Sequence, residues 1–214
     1  MKNHKTSELQ TVLTVTFVAC FLIANILAGK QFQLPFGITM TGAVIIFPMT
    51  YILSDIFSEV YGYRWSRLTC YMAFRANILM AIVFAIAIAL PAAPFWTNQE
   101  GFSATLGNAP RILLASLAGY VVGDYANDIV FQLMKKKHEN TIKGFGSRAI
   151  LSSVIGELAD STIFIPIAFA GEMPIESMLI MGATQVILKV AYEIIILPLT
   201  NFVVKRVSAH EARA

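Results

Sequence analysis

The chain alternates long apolar stretches with short polar segments. A helix that crosses a membrane needs about 20 mainly apolar residues. Six stretches meet that requirement, and we number them spans one to six: 9–29, 39–61, 66–90, 111–134, 148–170 and 176–204. The pattern therefore predicts an all-α membrane protein with six transmembrane helices, folded as a single domain over residues 1–214.

The composition supports a membrane protein. Of the 214 residues, 57% are hydrophobic and 14% are charged, whereas a soluble domain carries about a quarter charged residues. The mean hydropathy is +0.67. These values exclude a disordered chain, a nucleic-acid reader and an ordinary soluble globule. Two cysteines, each within a span, give no disulfide framework.

The basic residues are distributed unevenly between the loops. Twelve of the 16 Lys and Arg residues lie in the N-terminal segment, the second and fourth loops with the first two positions of the spans that follow them, and the C-terminal segment. The positive-inside rule therefore predicts that both termini are cytoplasmic. The longest loop, 91–110, carries Phe95, Trp96 and Phe102. It could lie in the membrane interface or be a plain solvated connection.

Acidic residues inside the spans carry the chemical information. Beyond the first two positions of each span, seven fall there, against the two basic residues Arg75 and Lys189. The seven are Asp55, Glu59, Asp124, Asp128, Glu157, Asp160 and Glu193. A carboxylate at the bilayer centre costs at least about 2.5–3.5 kcal/mol. A structural hydrogen bond between helices, worth about 0.6 kcal/mol, could explain one of them but not easily seven. Some must be protonated, solvated or matched by a ligand.

Helical spacing groups these residues into polar stripes that each contain an aromatic residue. Five spans carry such a stripe: Tyr51, Asp55 and Glu59; Arg67, Tyr71 and Arg75; Tyr120, Asp124 and Asn127; Glu157, Asp160 and Phe164; Gln185, Lys189, Tyr192 and Glu193. We expect the stripes to converge on one acidic and aromatic cavity.

Some members of these stripes have simpler interpretations. Glu59 is near the cytoplasmic interface, where it could snorkel or pair with Arg64 or Arg67. Asp128 is off its stripe, and Lys189 and Glu193, four residues apart, could neutralise each other. Glu59, Asp128 and Glu193 are therefore candidates for coupling or gating rather than for binding.

Prolines and small residues also occur within the spans. Pro48, Pro166 and Pro198 interrupt spans two, five and six, where proline kinks a helix. Gly123 and Gly156 directly precede acidic residues and permit close helix contact there. Six spans also divide into two halves of opposite orientation, which would form a three-plus-three inverted repeat.

Several motifs resemble one family. Residues 47–63, Phe-Pro-Met-Thr-Tyr-Ile-Leu-Ser-Asp-Ile-Phe-Ser-Glu-Val-Tyr-Gly-Tyr, are similar to a signature of the queuosine precursor transporters, also called the vitamin uptake transporters. Residues 156–164, Gly-Glu-Leu-Ala-Asp-Ser-Thr-Ile-Phe, are similar to a second signature of the same family. Further matches are Asn25, Lys30, Pro110-Arg111, Ala115-Ser116-Leu117, Gly123-Asp124 with Asn127, Ala168-Phe169, and Lys189 with Tyr192 and Pro198.

The resemblance implies a six-helix protein of the bacterial inner membrane that imports 7-deazaguanine bases such as preQ0, preQ1 and queuine. A carboxylate can accept hydrogen bonds from the ring N–H and exocyclic amine of such a base. We expect Glu157 and Asp160 to hold this edge with Asp55 opposite. An aromatic ring would stack on the base, from Tyr51, Tyr120 or Phe164. The ring carbonyl of the base would accept a hydrogen bond from Arg75, Lys189, Asn127 or Gln185. Asn25 and Asp124 complete the predicted substrate-binding set.

Other functions stay open at this level. Excess acids suit proton symport, and equally suit facilitated diffusion with trapping inside the cell. The chain could instead be the substrate-binding subunit of an ATP-driven importer, since it has no nucleotide-binding Gly-Lys loop of its own. An intramembrane metal enzyme is a third reading, disfavoured because no His lies in a span. We expect no enzyme activity, cofactor, metal or nucleic-acid partner. A homodimer could form through an outer face.

Overall fold

The computed structural model describes residues 6–137 and 143–212. The side chains at 36, 47, 128, 131, 132, 135–137, 143–150, 193, 197 and 201 lie outside that description. The helices and strands are α1 (Glu8–Ala28), β1 (Gln31–Gln33), β2 (Thr39–Thr41), α2 (Phe47–Ile56), α3 (Tyr63–Ala89), α4 (Gln99–Leu106), α5 (Ala109–Lys137), α6 (Lys143–Phe169) and α7 (Ile175–Glu211). The described residues form an all-α fold apart from the short β1–β2 pair, which is consistent with an all-α membrane protein.

Four helical segments of the described chain are long and apolar enough to cross a membrane. They are Glu8–Ala28, Tyr63–Ala89, Leu151–Phe169 and Ile175–Ile196. These segments match spans one, three, five and six. Pro166 and Pro198 lie inside α6 and α7, which continue as helices past both residues. The two prolines therefore do not end the helices that contain them.

Spans two and four differ from this group. The prediction of one continuous helix over 39–61 is wrong, because the segment runs from strand β2 through a 3₁₀ turn at Gly42–Ile45 into α2, which has ten residues. Pro48 has no N–H to donate, so it fits the first turn of a helix, and α2 begins there instead of kinking. In span four the helix is present as α5, with 29 residues. Polar residues such as Asp124 and Asn127 lower its hydropathy.

The connection between α2 and α3 explains why these helices are separate. Residues Phe57–Tyr61 form a π-helical turn. Gly62 follows with a φ of 84°, a backbone conformation that residues with a Cβ rarely adopt. The long loop 91–110 also holds a helix that the sequence analysis did not predict, α4, and Trp96 packs edge-to-face on Phe102 with ring centroids 5.6 Å apart.

The chain forms two compact units, and the single predicted domain stays a prediction. Unit 1 comprises residues 1–30, 41–110 and 193–214. Its core joins α1, the α2 region, α3 and the end of α7. The buried members are Phe17, Leu53, Ile56, Phe57, Ala73 and Val207. Ser7 Oγ and Tyr61 Oη both donate to Glu211 Oε1, at 2.6 and 2.9 Å, so the start of α1 is tied to the end of α7.

Unit 2 comprises residues 31–40 and 111–192, and it contains most of α5, all of α6 and the first half of α7. The end of α6 is held by Arg111 at the start of α5. Its Nε donates to Ile167 O at 2.7 Å and its Nη2 to Ala170 O at 2.5 Å. Its Nη1 pairs with Glu172 at 3.1 Å. The guanidinium therefore satisfies carbonyl groups that the end of a helix leaves without partners.

Candidate functional site

Three of the predicted site residues come together where α6 meets α7 in unit 2. Lys189 Nζ donates to Glu157 Oε2 at 2.5 Å and to Asp160 Oδ2 at 2.8 Å. Glu157 and Asp160 are three residues apart on α6, so the helix presents them on the same face. The three side chains are between 15% and 25% exposed. We call Glu157, Asp160 and Lys189 the charged cluster.

The charged cluster has more acceptors than its lysine occupies. Each carboxylate uses one oxygen for Lys189, and in the described part of the chain no hydrogen bond is found for Glu157 Oε1 or Asp160 Oδ1. A carboxylate has about four lone-pair positions. Two carboxylates facing one ammonium therefore keep both acceptor capacity and, when ionised, an excess negative charge. Such a cluster can accept hydrogen bonds from N–H groups or attract a cation.

Glycines bring α5 close to α6 at this level. A Cβ on Gly123 would lie 2.9 Å from Gly156 O, and one on Gly156 would lie 2.9 Å from Asn127 Cβ. The predicted close contact at these two glycines is confirmed. Gly119 was missed: a Cβ there would lie 2.6 Å from Asp160 Oδ1. The signal was present in the sequence, since Gly119 and Gly123 have the four-residue spacing typical of close helix pairs.

The other predicted residues of unit 2 lie on the two helices of the charged cluster and on α5 beside it. Asn127 is beside Gly156, and Phe164 is one turn beyond Asp160, with its ring 6.0 Å from that of Phe169 at 83°. Gln185 is 7% exposed on α7. Tyr120 and Asp124 are half-buried on α5, and both have interaction partners.

The side-chain positions of two predicted residues are not described. Asp128 and Glu193 lie in described helices, but their side chains lie outside the described residues. The pairing of Lys189 with Glu193 therefore stays a prediction. What the sequence analysis did not anticipate is that Lys189 has two partners on α6.

The remaining predicted residues belong to unit 1. Asn25 is buried on α1 and donates to Asn77 Oδ1 of α3 at 2.5 Å. Tyr51 is half-buried on α2, whereas Asp55, Glu59 and Arg75 are exposed. The convergence of all five stripes on one cavity stays a prediction. Among the described residues no group of His, Cys, Asp and Glu is arranged to hold a metal ion.

Apolar helices with a charged cluster between two of them define a multi-pass membrane protein with a polar site. A family model described as "Putative vitamin uptake transporter" matches residues 41–203, and the chain belongs to this family. The resemblance to the queuosine precursor transporters is thereby confirmed.

Two relatives carry the name "Probable queuosine precursor transporter". That of Bacillus subtilis (strain 168) is 23% identical over 179 residues, which cover 82% of this chain and 76% of the relative. That of Haemophilus influenzae (strain ATCC 51907 / DSM 11121 / KW20 / Rd) is 23% identical over 176 residues, covering 75% and 70%. No solved structure matches the chain.

Proposed function

We propose that this chain is a transporter that imports 7-deazaguanine precursors of queuosine, such as preQ0, preQ1 and queuine. The observation that carries the proposal is the charged cluster between two apolar helices of a vitamin uptake transporter. The names of the two relatives support the substrate class. The same names favour a transporter over an enzyme.

The chemistry of the charged cluster suits such a base. A 7-deazaguanine presents a ring N–H and an exocyclic amine on one edge, and Glu157 Oε1 can accept from these donors in a charge-assisted hydrogen bond. The Lys189 ammonium can donate to the neighbouring carbonyl. Phe164, one turn from Asp160, offers an aromatic face. The second carboxylate would also attract the aminomethyl cation of preQ1.

The membrane arrangement forms part of the proposal. The α2 region and α5 would add two spans to the four apolar helices, giving six in two inverted halves. Both termini would be cytoplasmic in a bacterial inner membrane, because twelve basic residues lie on that side. Reporter domains fused to each terminus and inserted in loop 91–110 test this. Activity of the periplasmic reporter at a terminus would overturn the orientation.

Reconstitution of the purified protein alone into liposomes tests the function. Uptake of labelled preQ0, preQ1 and queuine is measured with and without a pH gradient. Saturable uptake supports a self-sufficient transporter, and its response to the gradient separates proton symport from facilitated diffusion. Binding without uptake would favour the alternative, a binding subunit of an ATP-driven importer. Neither binding nor uptake by folded protein would overturn the substrate class.

Matched variants connect transport to the charged cluster. Glu157→Gln and Asp160→Asn keep the shape of each side chain and remove its charge. We expect both to raise the KM for uptake, because a charge-assisted hydrogen bond is roughly twice as strong as a neutral one. Exposed Glu172, which pairs with Arg111 elsewhere in unit 2, gives a control: Glu172→Gln should transport normally. Normal uptake by both cluster variants would show that these acids do not bind the substrate.

A further inference from the structure

Ser161 is the next residue on α6 after Asp160, and its hydroxyl has no partner among the described residues. Its residue is 4% exposed, and Oγ has no hydrogen bond within the described part of the chain. A serine inside a helix commonly donates to the carbonyl four residues earlier. The neighbouring Thr162 does this, donating to Leu158 O at 2.7 Å. Ser161 therefore leaves a polar atom buried without compensation, which is costly unless a ligand completes it.

The contacts of α6 with α7 locate this hydroxyl. Glu157 meets Lys189, and two turns along α6 the Cδ1 atom of Ile165 lies 3.2 Å from where a Cβ on Gly182 would be. Ser161 is midway between Glu157 and Ile165 and shares their helix face. On α7, Gln185 is the residue midway between the two contacts. The antiparallel register therefore places Ser161 level with Gln185.

Gln185 is also a largely buried polar residue, but its amide atoms are not among the fully buried atoms without a partner. It is 7% exposed, and no hydrogen bond of its side-chain amide is found among the described residues. Two buried polar groups thus lie at one level of the seam between α6 and α7, one helical turn from the charged cluster. A buried amide and a buried hydroxyl in protein interiors are normally hydrogen-bonded. Ser161 and Gln185 together therefore offer hydrogen-bonding groups that a bound ligand could use.

We propose that Ser161 and Gln185 bind the carbonyl and ring N–H of the transported base. The assignment rests on the proposed function. A ring carbonyl beside a ring N–H is a cis amide, and a Gln side chain matches it with two hydrogen bonds, donating to the oxygen and accepting from the N–H. Ser161 Oγ donates to the second lone pair of the carbonyl. Glu157, one turn away, then accepts only from the exocyclic amine, and Lys189 keeps its two carboxylate partners. These contacts replace those of Glu157 with the ring N–H and of Lys189 with the carbonyl that were given under the proposed function.

A substrate-binding role of Ser161 and a packing role predict different effects of Ser161→Ala on stability and on KM. Ser161→Ala removes an unpaired buried hydroxyl, so the free protein should keep or gain thermal stability. The affinity for the substrate should fall about three- to ten-fold, which corresponds to the loss of one hydrogen bond. Gln185→Leu removes two hydrogen bonds to the base and should weaken binding further. A serine that supported packing would show loss of stability without a selective change in KM.

The experiment measures thermal unfolding and uptake KM for the full-length parent, Ser161→Ala and Gln185→Leu. Thr162→Val is the matched control, because it removes a hydroxyl that is already bonded within α6. The probes are preQ0 and a 7-deazaadenine, which carries an amine in place of the ring carbonyl. The parent should prefer preQ0, and both seam variants should reduce that preference while Thr162→Val keeps it.

The outcomes separate the two proposals. If the parent transports preQ0 and Ser161→Ala keeps the parental KM and preference, Ser161 does not contact the base and this inference fails alone. A lower unfolding temperature with unchanged KM also overturns it. If the folded parent neither binds nor transports any 7-deazaguanine, the proposed function fails and this assignment fails with it.

Discussion

Asp160 accepts a hydrogen bond from Lys189 at 2.8 Å through Oδ2, while its other oxygen, Oδ1, is directed toward Gly119. The carboxylate is therefore enclosed between α7 on one side and the bare backbone of α5 on the other. Because no Cβ is present at Gly119, α5 can approach closely enough to fix the carboxylate in the geometry that meets the lysine.

Gly119→Ala tests whether this enclosure positions Asp160. The added methyl would lie 2.6 Å from Oδ1, so the carboxylate must rotate or move away from Lys189. We expect a raised KM for uptake of the base. Gly156→Ala is the comparison, because its methyl would meet Asn127 Cβ at 2.9 Å and a backbone oxygen of α5 at 3.0 Å, and so force the helices apart without meeting Asp160. That variant should lose more thermal stability, a cost on the order of 1–3 kcal/mol for overpacking. Equal effects on KM and stability in the two variants would contradict a specific role for Gly119.

Lys189→Met should destabilise the protein more than either acid-neutralising variant. Removing the ammonium leaves Glu157 and Asp160 facing each other, and breaking a buried ion pair costs about 3 kcal/mol or more. The measurement is the unfolding temperature in detergent. Adding Asp160→Asn and Glu157→Gln to Lys189→Met removes the unpaired charges, so the triple variant should regain most of the stability. Failure of that rescue would mean that Lys189 stabilises the protein through its packing instead of its charge.

The helical character and four of the spans were predictable because membrane helices depend on length and hydropathy. Spans one, three, five and six match helical segments that are long and apolar enough to cross a membrane. The prediction was wrong in residues 39–61 because an apolar run specifies burial without specifying helix. There Pro48 at a helix start and Gly62 at a positive φ divide the segment, and both depend on local backbone geometry.

The charged cluster was only partly predictable. Helical spacing placed Glu157 and Asp160 on one face, and their charge marked them as candidates. The pairing of both with Lys189 depends on how α6 and α7 are aligned, which no local pattern specifies. Ser161 and Gly119 were missed because a serine and a glycine are common in helices of membrane proteins. Only the lack of a partner distinguishes Ser161, whereas the four-residue spacing between Gly119 and the next glycine was a signal in the sequence that was overlooked.

Arg111→Lys should loosen the end of α6. The guanidinium donates to Ile167 O, Ala170 O and Glu172 at once, and an ammonium cannot reproduce three donors in that planar arrangement. We expect a fall in unfolding temperature that Glu172→Gln does not share, because an exposed ion pair contributes only about 0–1 kcal/mol. Hydrogen exchange of the amides near residues 166–172 gives the local measurement. Protection there that is equal in Arg111→Lys and the parent would show that the carbonyl contacts do not hold the helix end.

Asn25 presents the final test, because two interpretations of it differ in what a variant should do. As a predicted substrate-binding residue, Asn25→Ala would raise the KM. In the structure its amide donates to Asn77, which is fully buried and donates in turn to Ala73 O at 2.9 Å. If the hydrogen bond between Asn25 and Asn77 serves only to hold α1 against α3, the stability losses of Asn25→Ala and Asn77→Ala should not add up in the double variant. The coupling should be about 0.6 kcal/mol, as is typical of hydrogen bonds between membrane helices.

A double-mutant cycle on unfolding, combined with uptake KM for the same three variants, separates these interpretations. We expect coupling in stability and a KM within about two-fold of the parent, because the amide is already committed to Asn77 and little of Asn25 is exposed. A large rise in KM in Asn25→Ala without any coupling to Asn77 would instead return Asn25 to the substrate-binding set. Asn77 would then be a residue that orients Asn25, and Asn77→Ala should raise the KM through it.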